Sequence, residues 1–457
     1  MTDQNPLLLY GKPIVEYRGH GIFIASDNQT YACDFIAGQL VDGTCLLLCG
    51  IFLQRGQSLS SDNVLDIKFK GDTDEGWAIW TEGSISPINN LSNWGTSPVQ
   101  YTFLLRNLFI QTSDFSNAER AIFKITNFEF SGPNAHKNYI ELTLPELNVV
   151  KISQVEGYDE IIRRVMTLHG IDISSEIIID ISSSKSPYRY EKQCHELCLL
   201  ISVARGTKIH WVCYEVQNCL SSMIFRAHYS IITRPYAPLH AIIDPSIFGV
   251  DETRRFLECA FTTMANNSYL RENLTVLVNS YISAKKDDYW QLKGLNVVVV
   301  LEMLKIFAIN NPEMRIEEFI VNQLTFERIE ENLKDTLKKS DLCPQQRGKI
   351  YQNLKGINRT SFREILSQFC EQIDLQIEPS DFRSLIFSRN KLVHEGRFYT
   401  ECASREELAR WNPFTSTAEE YFFLVNLLDK IFLRLFDYHG PYVNCRNSQN
   451  ITTKGRI

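Results

Sequence analysis

Apolar and polar positions follow two different periods along this chain. The first 230 or so residues carry short runs rich in β-branched and aromatic side chains: Gly21–Ser26, Thr44–Leu53, Val64–Phe69, Gln100–Gln111, Ala121–Phe130, Tyr139–Leu144 and Ile177–Ile181. Clusters such as GDTDEG, NNLSNWG and SGPNAHKN separate them. Many short strands punctuated by turn residues predict a β-sandwich or a distorted barrel. Two helices interrupt the pattern. Tyr158–His169 places Ile161, Ile162, Val165 and Leu168 on one face, with Gly170 as its cap, and a second helix spans Tyr190–Val203. Strands at Lys208–Val216 and Met223–Thr233 follow.

Three prolines between Pro235 and Pro245 break regular structure and mark a domain junction. Beyond Asp251 the period becomes helical. Phe256, Leu257, Ala260, Phe261 and Met264 form one stripe; Leu270, Leu274, Leu277, Val278 and Tyr281 form the next. Asn296–Ile309 is almost wholly apolar and predicts a central helix buried all round. Ile316 to Leu333 and Phe362 to Ile373 continue the series, and a Ser416-x-x-Glu419 capping box opens a last helix over Thr417–Asp437. The expected architecture is α+β: a β-rich, sandwich-like domain over 1–240, a helical bundle over 250–445, and a basic tail over 446–457.

Composition narrows the function classes. With 457 residues, 44% apolar and 22% charged, the chain has material for more than one core. The formal charge is −7, and basic and acidic residues balance from Asp251 onward at 28 each, so the deficit lies wholly in the first part. Coating nucleic acid through bulk positive charge is excluded; a local anion site in the helical part is not. Arg347, Lys349, Lys355, Arg359 and Arg363 stand without a carboxylate across 343–363, and Arg446, Lys454 and Arg456 do so in the tail. Each tract reads as a phosphate-binding strip or as a solvated connector. The chain begins without a basic region followed by an apolar core, and Leu295–Ile309 is shorter than the ~20 residues of a membrane span, so a cytoplasmic protein without membrane contact is expected.

Twelve irregularly spaced cysteines fit a reducing compartment. One set, Cys194 and Cys198 with Cys213 and Cys219, has spacing that a zinc ion could use; the alternative is a group of buried thiols. No GxxxxGK[ST], HExxH, GxSxG or paired CxxC motif occurs.

The segment with the most chemistry is SDFRSLIFSRNKLVHEGRF, Ser380–Phe398. Ser380 is the expected N-cap. Phe382, Leu385, Ile386 and Val393 define the apolar face of a helix, and Arg389 falls on that face. An unpaired buried guanidinium is prohibitively costly, so an internal carboxylate, a subunit interface or a polyanion must compensate it. Asn390 and His394, four apart, share a neighbouring face, and His394 lies in the last turn, where the helix dipole favours a charged imidazole. Imidazole beside a fixed cation suits general acid–base chemistry on a phosphodiester. The strings Arg164–His169 and Arg205–His210 share the R-x4-H spacing. Arg164 points off its apolar stripe, and Gly206 and a strand follow Arg205, so neither presents its pair from a helix.

RNKLVH late in an all-helical domain resembles the R-x4-6-H motif of HEPN domains, helical bundles of which many are metal-independent endoribonucleases. The resemblance covers roughly 250–440 and maps the motif arginine onto Arg389, the polar residue onto Asn390 and the histidine onto His394. A β-rich region, the stretch ELCLLISVARGTKIHWVCYEV and the ending FDYHGPYVNC together resemble the ApeA-type anti-phage proteins of bacteria. The resemblance implies a homodimer or larger even-numbered assembly with a composite site. It also implies no cofactor, RNA as substrate (a tRNA anticodon loop being one candidate), 2′,3′-cyclic phosphate products, and a β-rich half that restrains the nuclease until a phage-derived trigger arrives. Two other readings stay open: a non-catalytic bundle that binds RNA or assembles, and a lectin-like sandwich joined to a helical oligomerisation domain.

Overall fold

A computed structural model describes residues 6–445 apart from 25–28, 52–67, 83–85, 92–98, 130–137, 169–170, 182–187, 231–240, 287–288, 405, 408–410 and 412. The proline-marked junction is therefore described only from 241 onward, and His169, Gly170 and the basic tail with Arg446, Lys454 and Arg456 lie outside the described residues. The chain divides into two compact units, Met1–Ala265 and Asn266–Ile457.

The first unit holds fourteen described strands: β1 (Pro13–Ile24), β2 (Thr30–Leu40), β3 (Cys45–Ile51), β4 (Lys68–Thr73), β5 (Ala78–Trp80), β6 (Ser86–Leu91), β7 (Val99–Leu105), β8 (Asn107–Gln111), β9 (Arg120–Thr126), β10 (Tyr139–Leu144), β11 (Asn148–Gln154), β12 (Ile173–Asp180), β13 (Trp211–Gln217) and β14 (Met223–Tyr229). They form one continuous antiparallel ladder in the order β10-β11-β12-β9-β13-β14-β8-β5-β4-β1-β2-β3-β7-β6. Alternation sets the faces. In β10, Ile140, Leu142 and Leu144 are buried while Tyr139, Glu141 and Thr143 are exposed. The ladder folds back on itself. Gln39 of β2 donates to the carbonyls of Val212 and Tyr229 at 2.8 and 2.9 Å, and Tyr17 of β1 meets His228 of β14 at 3.1 Å. A core of Phe23, Phe35, Phe69, Phe103, Leu105 and Ile110 lines the fold.

The strands expected to form a sandwich or a distorted barrel thus make a single curled sheet, not the two sheets of a sandwich. Periodicity reports which face is buried, not how the ladder closes. The expected strand over Gln100–Gln111 is broken at Arg106 into β7 and β8. The additional strands β2 and β11 complete hairpins with β1 and β10.

Four helices belong to this unit: α1 (Tyr158–Leu168), α2 (Tyr188–Arg205), α3 (Pro245–Phe248) and α4 (Val250–Asn266). Helix α4, whose stripe reads as the start of the bundle, counts with the β-rich unit, and its Glu258 accepts from the Thr143 N–H at 3.0 Å. The first unit thus runs to Ala265, one residue before the end of α4 and past the 240–250 junction expected from the prolines.

The second unit contains α5 (Ser268–Ala284), α6 (Trp290–Asn310), α7 (Gln323–Lys338), α8 (Pro344–Ile357), α9 (Phe362–Gln372), α10 (Pro379–Glu395), α11 (Tyr399–Cys402) and α12 (Thr417–Leu435). Helix α6 is the hub and packs against α5, α9, α10 and α12. It buries Val297, Val298, Leu301, Leu304 and Phe307, but Leu292, Leu295, Val299 and Ile306 are exposed. One stripe of this helix is therefore apolar and open to solvent, against the expectation of burial all round. Gly294 lets α10 and the chain after it approach: a Cβ there would lie 2.4 Å from the Phe398 ring and 3.0 Å from Leu392. Ser416 caps α12 by accepting from the Glu419 N–H at 3.2 Å, while Glu419 turns to the Thr415 N–H at 2.6 Å. The capping box is half made. No helix among the described residues is long and apolar enough to cross a membrane.

Candidate active site

Helix α10 starts two residues earlier than its polar signal indicates. Glu378 is the N-cap and Pro379 occupies the first turn, so Ser380 sits inside the helix. The helix ends at Gly396, whose φ of 66° only glycine adopts at low cost and whose N–H bonds to the Leu392 carbonyl at 3.1 Å. His394 accordingly occupies the last turn, as the pattern predicts.

Arg389 faces inward with 19% of its side chain exposed. Its Nε donates to Glu302 Oε1 at 3.0 Å, its Nη2 reaches the same oxygen, and its Nη1 donates to Asn390 Oδ1 at 2.9 Å. The guanidinium carbon lies 4.9 Å from the centre of the Phe362 ring. The compensating group is therefore an internal carboxylate. Glu302 is itself shared, since Lys305 holds Oε2 at 3.2 Å. This carboxylate was legible in principle. It is a charge in the most apolar helix of the chain and, like Arg389, it needs a partner.

Asn390 and His394 are both exposed. His394 makes no hydrogen bond to a described residue, and the chain does not bring it onto Arg389, in keeping with the ~140° between positions five apart on a helix. Beside it, Lys391 and Glu395 pair at 2.8 Å; that bond raises the Lys391 pKa and lowers that of Glu395.

The basic tract does not form one strip. Arg347 and Lys349 lie ~160° apart around α8, and Arg347 is spent on the Lys338 carbonyl at 3.2 Å. The side chain of Lys355 lies outside the described residues, and Arg359 is exposed past the helix end. Arg363 alone adjoins the site, its guanidinium 5.9 Å from the Phe382 ring centre and its neighbour Phe362 beneath Arg389. It rims a cavity of ≈600 Å³ between α9 and α10, where Glu371, Asp374 and Glu378 disfavour a phosphate.

The zinc set is not assembled. Cys194 and Cys198 lie together on α2, buried and with the Cys194 thiol pushed well up by burial. Tyr214 of β13 points to this side and donates to Glu191 of α2 at 2.8 Å. Strand alternation sends Cys213 to the opposite face, and Cys219 is exposed beyond the strand. No group of three or more His, Cys, Asp or Glu among the described residues is placed to hold a metal ion.

A fourth R-x4-H string went unnoticed in the sequence. Arg434, buried at the end of α12, lies against the ring of His439, with Nη1 2.8 Å from Nε2, because Asp437 (φ 56°) turns the chain back. Arg205, of another such string, pairs with Glu129 at 2.9 Å rather than with a histidine. Arg164 pairs with Asp172. No family model, curated protein or solved structure matches the chain.

Proposed function

We propose that this protein is a metal-independent endoribonuclease of the HEPN type whose site is Arg389, Asn390 and His394. One observation carries the reading. Within about one and a half turns of α10, a cation held by Glu302 and Asn390 stands next to an exposed polar pair, Asn390 and His394, themselves one turn apart. In this reading His394 takes the proton of the RNA 2′-OH as it attacks the adjacent phosphorus. The 5′-oxygen leaves with a proton, giving a 2′,3′-cyclic phosphate and a 5′-OH end. Arg389 neutralises charge on the phosphoryl oxygens. Glu302 occupies Nε and one Nη2 proton and Asn390 occupies one on Nη1, which leaves donors on both Nη atoms for phosphate. Asn390 orients the guanidinium.

Arg389 and His394 do not meet within one chain, so the reading places a second copy across the site. The open stripe Leu292, Leu295, Val299 and Ile306 on α6, which flanks Glu302, supports this; Val393 of α10 is exposed as well. The substrate is single-stranded or loop RNA, tRNA included, whose 2′-OH groups are free to rotate into line. The β-rich unit is the regulator, in bacterial anti-phage defence, acting in the cytoplasm and answering to a phage-derived trigger. His394→Ala is expected to lower cleavage at least ~100-fold with unchanged mass in light scattering, and to relieve toxicity on expression.

A non-catalytic assembly module is the second reading, and the Glu302–Arg389 pair favours it because that pair neutralises the arginine without a ligand. It predicts that Arg389→Ala weakens the assembly or the fold while His394→Ala is silent. Cleavage retained in His394→Ala would remove the first reading.

A further inference from the structure

Arg383 stands on the same stripe of α10 as the candidate site. Arg383, Phe387, Asn390 and His394 follow the spacing i, i+4, i+7 and i+11, which keeps them on one side of a helix. Arg383 is exposed, yet it is held in place. Its guanidinium carbon lies 4.7 Å from the Trp411 ring centre and 5.4 Å from that of Phe387.

Those rings are themselves fixed. Phe387 stacks on Tyr399 at 5.8 Å, the Tyr399 hydroxyl donates to the Trp411 carbonyl at 2.8 Å, and the fully buried Glu420 accepts from the Tyr399 and Thr400 N–H groups at 2.9 and 3.0 Å. No described carboxylate pairs with Arg383. In the segment that carries Trp411, Glu407 accepts from the Ser404 N–H at 2.7 Å. Two aromatic rings lie against the guanidinium, and its N–H donors make no hydrogen bond to a described residue. A guanidinium so restrained loses little freedom when an anion arrives.

We infer that Arg383, braced by Phe387 and Trp411, is a second phosphate subsite for the RNA strand, resting on the ribonuclease reading above. The helix rise of 1.5 Å per residue puts its Cα ~10 Å from that of Asn390 and ~16 Å from that of His394. That reach fits the phosphate of a nucleotide one or two steps from the bond that is cut. The subsite sets strand register by gripping backbone, so it adds affinity without reading a base. The acid-rimmed cavity at Arg363 offers no such place.

The test uses the full chain and a fluorescein-labelled single-stranded RNA that is 2′-O-methylated throughout, so that no 2′-OH can attack. Its dissociation constant is measured across a salt series, together with the KM for cleavage of the native strand. Arg383→Gln is expected to weaken binding about tenfold and to lower the salt slope by about one, with KM raised and kcat little changed. Arg383→Lys recovers only part of the affinity, because a point charge replaces the flat fork. Arg163→Gln, an equal charge change on α1, leaves binding unchanged. Should Arg383→Gln match Arg163→Gln in affinity and slope, or lower only the melting temperature, the arginine is a brace for Trp411 and the subsite falls while the nuclease stands. A parent chain that neither binds nor cuts RNA overturns both.

Discussion

The two units differ in how they bury ionisable groups. The β-rich unit keeps its deepest histidines and thiols neutral, and in its most buried described ion pair, Arg205–Glu129, the glutamate is still 16% exposed. His228, fully buried, is held by Gln39 and Tyr17, and burial pushes its pKa well down; His210 is pushed down to about 3, again mainly by burial. The buried thiols of Cys45 and Cys49 are driven up for the same reason. The helical unit buries formal charge in pairs. Lys285 and Asp429 meet at 2.8 Å with 1% and 0% of their side chains exposed, and Tyr281 donates to the same carboxylate oxygen at 2.6 Å. Arg389 and Glu302 repeat the device near the surface, where solvent still reaches it. A sheet interior offers backbone carbonyls at its folded-over edges, which suit neutral amides and imidazoles. Helix backbones are satisfied within each helix, so a buried ammonium such as that of Lys285 needs a counter-charge, whereas the carboxylate of Glu420 is held by the free N–H groups of Tyr399 and Thr400 at a helix start. Paired charge at the edge of a bundle is also what a phosphate can enlist, and the candidate site lies in the unit that uses it.

The largest expected effect follows from the deepest pair. Asp429→Ala strands the Lys285 ammonium and is expected to cost ~3–5 kcal/mol, whereas Lys285→Met with Asp429→Leu together are expected to be near neutral. Urea unfolding of the two variants separates these outcomes, and equal losses would mean that the pair itself supplies the stability.

Acid sharpens the contrast from the other side. The folded first unit holds His210 and His228 neutral, while the unfolded chain protonates them below about pH 6.5. Unfolding then binds protons. Stability is fully present above that value and falls as pH drops, by up to ~1.4 kcal/mol per pH unit for each histidine, until pH nears the folded value of His210, about 3. Hydrogen exchange on β9, β13 and β14 at pH ~6.5 and ~5 measures the slope, and His210→Gln should flatten it. A first unit indifferent to acid in that range would break the comparison. The smallest effect belongs to the surface pair of half-buried Lys391 with exposed Glu395: Lys391→Gln should change stability by less than ~0.5 kcal/mol in the same unfolding assay.

Much of this was legible in the sequence, for identifiable reasons. The change of period marked two units because core-facing positions repeat every 2 or 3.6 residues whatever the topology. The motif helix, its end at Gly396 and the inward turn of Arg389 followed from side-chain spacing alone. Other features depend on contacts distant in sequence. Curling of the sheet rests on Gln39 reaching Val212 and Tyr229, and the Glu302–Arg389 pair spans 87 positions. The zinc set failed because spacing says nothing of which side of β13 faces α2. Arg383 escaped notice because its value lies in Trp411, twenty-eight positions on and in an irregular segment.

The most direct measurement incubates the full chain and its His394→Ala variant with total bacterial tRNA and mRNA in excess EDTA, then maps the new ends. The account predicts discrete cuts by the parent alone, each bearing a 2′,3′-cyclic phosphate and a 5′-OH. Equal cutting by both chains, or products ending in 3′-OH and 5′-phosphate, would contradict it.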